Sequence, residues 1–215
     1  MAPSFSRQRT FSYGFFSYCH AAQHFAQIGS PTALADAELE QQLRQAALAG
    51  DAKYGLYIPS GALWGAQDIQ KMGDRGTVTA LTITMKKAPH HLKLEAPLDA
   101  KVAEAEKFPD AETVIFEGPV RELCPIAPNN VNTMACAALA AHNLGFDKVQ
   151  ARLVADPRLE RHVIEVDLHG PNGYHVFTER SNPAAKGAVT GQATYVSFLS
   201  SLLLAGDRGS GVHFC

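Results

Sequence analysis

Residues 149–179 read VQARLVADPRLERHVIEVDLHGPNGYHVFTE, and they decide the fold class. Val149 to Ala155, Arg161 to His169 and Tyr174 to Glu179 are short runs of apolar and β-branched residues, the composition of strands. Asp156-Pro157 separates the first two runs, and Gly170-Pro171-Asn172-Gly173 makes a hairpin turn between the last two. Upstream, the same pattern places strands at Thr77–Lys87, Leu92–Glu95 and Thr113–Phe116, with Val78, Ala80, Thr82 and Thr84 on one face of the first. A surface helix is expected over Asp99–Lys107. An alanine-rich helix is expected over Met134–Leu144, after Asn129-Asn130-Val131-Asn132 and ahead of Gly145. The last helix spans Ala188–Ala205, apolar on one side through Val196, Leu199 and Leu203. Several strands with helices on one face describe an α+β domain over residues 65–205, built on a mixed, largely antiparallel sheet.

The segment before it has a different character. Ser30 is placed to cap a helix with Pro31 in its first turn. Leu34, Leu39, Leu43 and Ala47 then repeat at helical spacing, and Gly50 stops the run. Tyr54 to Ile58 is a short apolar strand, so residues 28–64 read as part of an α/β unit. Ser60-Gly61-Ala62-Leu63-Trp64-Gly65 is a small-residue turn leading into the α+β domain, with Trp64 expected in the core. Met1 to Gln27 contains no Asp or Glu, which suits a divergent, poorly ordered leader; its arginines and serines also suit a mitochondrial transit peptide. Residues 206–215 are expected to be a tail.

The chain has 215 residues, 46% of them hydrophobic and 19% charged, with a formal net charge of −2. That balance argues against broad electrostatic binding of nucleic acid. The apolar runs fall short of the roughly 20 residues that a membrane span needs. The four cysteines (Cys19, Cys124, Cys136 and Cys215) form no CxxC pair and lie at no metal-ligand spacing. They read as free thiols in a reducing compartment, which suggests the cytoplasm, and no metal site is expected. His90 and His91 are expected at a strand edge, facing opposite ways, and His169, His175 and His213 have no accompanying ligand pattern.

From about Ile28 to Ala205 the chain resembles the L-aspartate dehydrogenase family, including its animal members. The resemblance rests on Gly29-Ser30-Pro31-Thr32-Ala33-Leu34-Ala35, Pro59-Ser60-Gly61-Ala62-Leu63-Trp64-Gly65 and Phe116-Glu117-Gly118. It continues through Asn130-Val131-Asn132-Thr133-Met134-Ala135, Val154-Ala155-Asp156-Pro157, His162 and Asn182-Pro183, in that order. It implies a Rossmann cofactor domain, of which residues 28–64 are the C-terminal part, followed by the α+β domain. It also implies oxidation of L-aspartate by NAD or NADP to iminoaspartate, and a homodimer formed through the α+β sheet. By the same resemblance Ala62 and Asn132 contact the nicotinamide cofactor and His162 is the active-site histidine.

The residue types fit that chemistry. Hydride transfer belongs to the cofactor, and the protein orients it and manages protons. A histidine titrating near neutrality can take a proton from the substrate ammonium and later assist water attack on the imine. A strand histidine such as His162 can equally make one structural hydrogen bond. Asn130 reads first as a helix cap, and the N–H groups of that helix start can also attract an anion. Gly61 and Ala62 are small enough for backbone to approach a flat ring, or simply form a turn between domains. A dicarboxylate needs cationic or N–H partners, with Arg121, Lys186 and the helix start near Thr190 as candidates.

Two departures stand out. The GxGxxG turn that carries the pyrophosphate in a Rossmann fold has no match here, since Gly209-Ser210-Gly211 lacks the third glycine and precedes no helix. Weak NAD binding, or none, is therefore expected of this chain, and a catalytically silent dimerisation module is the alternative function. Asn182-Pro183-Ala184-Ala185-Lys186 also stands where bacterial relatives read Asn-Pro-Lys-Thr-Ser.

Overall fold

A computed structural model describes residues 25–27, 29–185, 192–205 and 208–215. In chain order these form β1 (Phe25–Gln27), α1 (Ala37–Leu48), β2 (Gly55–Ile58), α2 (Ala66–Asp74), β3 (Ala80–Lys87) and α3 (Leu98–Ala105). There follow β4 (Thr113–Pro119), α4 (Val120–Leu123), α5 (Asn132–Ala140), α6 (Gly145–Lys148), β5 (Gln150–Ala155), β6 (Arg161–His169), β7 (His175–Pro183), α7 (Gln192–Ala205) and β8 (Gly211–Phe214). Among the described residues no helix is long and apolar enough to cross a membrane.

The strands make two sheets. The first is parallel throughout, in the order β1-β2-β8. All four residues of β2 are buried, as a strand covered on both faces requires. The second has the order β4-β5-β3-β6-β7 and is antiparallel except for the β3–β5 pair. The architecture is therefore α/β plus α+β, with a mixed and largely antiparallel main sheet.

One face of the main sheet carries Leu81, Ile83 and Met85 of β3 beside Leu168, Val166 and Ile164 of β6, and all six are buried. Against this face lies α5, where every residue from Thr133 to Ala140 is buried. Its alanines let neighbours come close: a Cβ added at Gly73 of α2 would stand 2.6 Å from the Ala140 carbonyl oxygen. The opposite face is ruled by ion pairs, with Lys86 bonded to Glu165 at 2.8 Å, and it leaves Phe177 of β7 55% exposed.

The structure departs from the sequence reading at six places in the fold. The first helix does not run from Ser30: a 3-10 turn over Pro31–Ala35 precedes it, and Asp36 caps α1 by accepting from the Glu38 and Leu39 amides at 3.0 and 3.1 Å. Residues 92–95 form no strand; they follow a 3-10 turn at Pro89–His91. Trp64, expected in the core, is 68% exposed. The apolar side of α7 faces outward too, with Val196, Leu199 and Leu203 exposed. The expected tail contains β8, which extends the parallel sheet: the Cys215 amide donates to the Ile58 carbonyl, and the Ser60 amide donates to the Cys215 carbonyl. At the other end, Phe25–Gln27 of the expected leader form β1; residues 1–24 lie outside the described residues.

Candidate active site

A cavity of about 130 Å3 lies where the two sheets meet. Its walls are the 59–62 turn after β2, the start of α5, the ends of β3, β6 and β7, and Thr194 and Phe198 of α7. Ala62, Asn132 and His162, separated by up to a hundred positions in the chain, all line it.

Each reaches the cavity for a local reason. The turn after β2 is tight because Gly61 takes φ +58, a left-handed conformation that glycine adopts without strain. Among the described residues no atom outside the turn's own neighbours stands within 4 Å of the place a Gly61 Cβ would occupy, so the turn presents an open flank, and Ala62 beside it is half-buried. The Gly61 carbonyl is held from the other side by Arg180 Nη1 at 3.4 Å and Ser197 Oγ at 3.3 Å. Asn132 is the first residue of α5, and its Oδ1 accepts from Ser30 Oγ at 2.7 Å. The serine expected to cap a helix thus fixes an asparagine side chain instead. His162 is the second residue of β6, on the core-facing side of the sheet, and only 4% exposed.

Lys87, Asn130 and Asn182 also line this cavity, and His91 packs against His162 beside it; of these four, only Asn130 stands out in sequence as near a binding site. Lys87 ends β3, is 3% exposed, and its Nζ donates to Asn130 Oδ1 at 3.3 Å. Burial disfavours its charged form and pulls its pKa down to about 8. Asn130 is not a helix cap: it is buried, and its Nδ2 donates to the Lys93 carbonyl at 3.2 Å. Asn182 stands opposite His162 across β6–β7, is 7% exposed, and its Nδ2 has no hydrogen-bond partner among the described residues. His91 lies edge-on to His162, with ring centroids 5.0 Å apart. Burial holds the His91 pKa below the usual histidine value, helped by the charges of His90 and Lys87; the nearby Ala185 backbone opposes this without making a well-formed hydrogen bond. His90 and His91 therefore do not point apart as strand neighbours would, and their rings sit 4.2 Å from each other.

The other candidates lie elsewhere. Arg121 is committed to structure: it grips Asp147 through Nε at 2.5 Å and Nη2 at 3.0 Å, donates to the Ala35 carbonyl, and covers the Phe146 ring. Lys186 and Thr190 lie outside the described residues. His169 and His175 do have a companion, since both Nε2 atoms approach Asp167 Oδ1, at 3.0 and 2.8 Å, on the exposed face of the main sheet. His213 of β8 stacks on Tyr57. Cys124, Cys136 and Cys215 are free and buried, and burial pushes the Cys124 thiol up to about 12.

The two sheets thus enclose a cleft lined by a histidine, a lysine and several asparagines, Asn130, Asn132 and Asn182 among them. Residues 68–201 match the family described as aspartate dehydrogenase, C-terminal. An aspartate dehydrogenase domain-containing protein of Danio rerio is 50% identical over 208 residues, 96% of this chain and 71% of its own length. An L-aspartate dehydrogenase of Methanosarcina barkeri is 33% identical over 175 residues, 81% of this chain and 62% of its own length. The crystal structure of aspartate dehydrogenase from Thermotoga maritima shares the fold, with a TM-score of 0.61 and 23% identity over 86% of this chain and 66% of that one. The chain belongs to the aspartate dehydrogenase family.

Proposed function

We propose that the cavity is the reaction site of an NAD- or NADP-dependent oxidation of L-aspartate to iminoaspartate, which hydrolyses to oxaloacetate and ammonia. The observation that carries this reading is the convergence of Ala62, Asn132 and His162 on one cavity. The residues present fit a nicotinamide group: the open flank of Gly61 admits a flat ring beside Ala62, and Asn132 and the orphaned Asn182 amide offer polar contacts. A bound cofactor would supply the hydride acceptor.

The protein's own part is acid–base chemistry and placement. The substrate ammonium must lose a proton for its nitrogen to form the C=N bond as hydride leaves the α-carbon. His162 takes that proton and releases it to solvent; the neutral ring then takes one from the water that attacks the imine carbon and returns it to the nitrogen that leaves as ammonia. The walls of β3, β6 and β7 keep this histidine nearly dry, and that strengthens its polar interactions with a substrate.

The outward face of the main sheet, where Phe177 and Val114 are exposed, supports pairing with a second copy of the chain. A silent dimerisation module, the second reading, draws on that same face. The two readings part in a fluorescence titration with NADH. The dehydrogenase reading expects weak, saturable binding, weaker than micromolar, that Ala62→Leu abolishes by filling the ring's place. Binding unchanged by that substitution removes the nicotinamide from this cavity.

A further inference from the structure

Three residues form a row across three adjacent strands on the cavity side of the main sheet. His162 pairs with Asn182 across β6–β7, and Lys87 follows the last β3–β6 pair, Lys86 with Val163, by one residue. Lys87, His162 and Asn182 thus stand side by side, and all three line the cavity. Strands lie about 4.8 Å apart, so the outer two backbones are separated by roughly 10 Å.

The chemistry of the row is asymmetric in a useful way. Among the described residues that line the cavity, Lys87 alone carries a lysine or arginine side chain, and no Asp or Glu is present. The field inside favours an anion. On the far side of His162, the Asn182 Nδ2 is a buried donor with no acceptor among the described residues, which is costly until a ligand supplies one. We propose that Lys87 and Asn182 are the two ends of a dicarboxylate seat, each receiving one carboxylate of a four-carbon substrate, with His162 beneath the carbon between them. This rests on the aspartate reading for the ligand's class. Two donors about 3 Å from each carboxylate leave room between the outer strands for a short chain and for nothing much longer. Lys87 takes the place in this scheme that Arg121 and Lys186 held as candidates in sequence.

The test is calorimetric titration of the whole chain with succinate, an unreactive four-carbon dicarboxylate, with butyrate as the monocarboxylate control. Wild type should bind one succinate per chain and bind butyrate at least tenfold more weakly. Lys87→Met should weaken succinate by about tenfold or more, since a charge-assisted contact is lost. Asn182→Leu should weaken it several-fold, and Lys87→Arg should restore most of the affinity. Binding in wild type should fall as pH rises above 8, where the ammonium deprotonates, and should hold in Lys87→Arg. The titratable groups facing this lysine are His91 and His162, and burial favours the neutral form of His91. Equal succinate affinity in wild type and in folded Lys87→Met and Asn182→Leu overturns the seat and leaves the aspartate reading standing. No dicarboxylate binding by wild type, with NADH still bound, overturns both.

Discussion

His162 and Asn182 face each other across the β6–β7 ladder, one residue in from the strand ends, and both side chains line the same cavity. The pairing is set by the Gly170–Gly173 turn, in which Asn172 and Gly173 take φ of 58 and 79. A one-residue slip of β7 would turn Asn182 to the opposite face, while β3 holds His162 in place. Inserting one residue into this turn is expected to weaken succinate binding several-fold, as Asn182→Leu does, while the far-ultraviolet circular dichroism stays close to wild type; unaltered binding would show that register does not place Asn182.

Lys87 gives a stability prediction with a definite sign. Its folded pKa, about 8, lies below the ordinary value of 10.5, so the fold disfavours the ammonium. The penalty is full below pH 8 and vanishes as pH rises to 10.5, where the lysine is neutral folded or unfolded. Lys87→Met is therefore expected to be more stable than wild type at pH 7, by up to roughly 3 kcal/mol, with the difference closing between pH 8 and 10.5. Urea unfolding of both proteins across that range measures it, and a gap that ignores pH would contradict it.

Helix α1 distinguishes two caps. Asp36 accepts from two amides of its first turn, whereas Ser30 makes no cap bond and instead donates to Asn132. Asp36→Ala should destabilise the chain by about 1 kcal/mol. Ser30→Ala should cost less stability but loosen Asn132 and weaken NADH binding. Reversed effects in thermal unfolding and NADH titration would return the cap to Ser30.

The α2–α5 contact has no slack. A methyl group at Gly73 would meet the Ala140 carbonyl oxygen at 2.6 Å, and neither backbone can yield cheaply. Gly73→Ala should cost about 2 kcal/mol or more through overpacking, despite the better helix propensity of alanine. A raised melting temperature would contradict the packing described for this crossing.

Much of this was legible in the sequence, and for identifiable reasons. The hairpin at 170–173 has turn chemistry that admits few alternatives, and the order of short motifs around Ala62, Asn132 and His162 points to their family. Other features depend on tertiary contacts that no local pattern carries. Asp36 outcompeted Ser30 as a cap because the chain first makes a 3-10 turn from Pro31. Trp64 and the apolar side of α7 are exposed although their composition reads as core. Lys87 ends the strand expected over Thr77–Lys87, and only the meeting of β3, β6 and β7 shows it buried beside a histidine. Asp167, His169 and His175 meet because a hairpin folds back on itself, which spacing along the chain does not display.

The most direct measurement is L-aspartate-dependent NADH formation followed at 340 nm with millimolar NAD, for wild type and for His162→Gln. Wild type is expected to form NADH only when L-aspartate is present, and the variant to be slower by at least about a hundredfold. Equal rates in the two proteins, or a wild type that forms no NADH from L-aspartate while it binds both NADH and succinate, would contradict the role given to His162 and the site built around it.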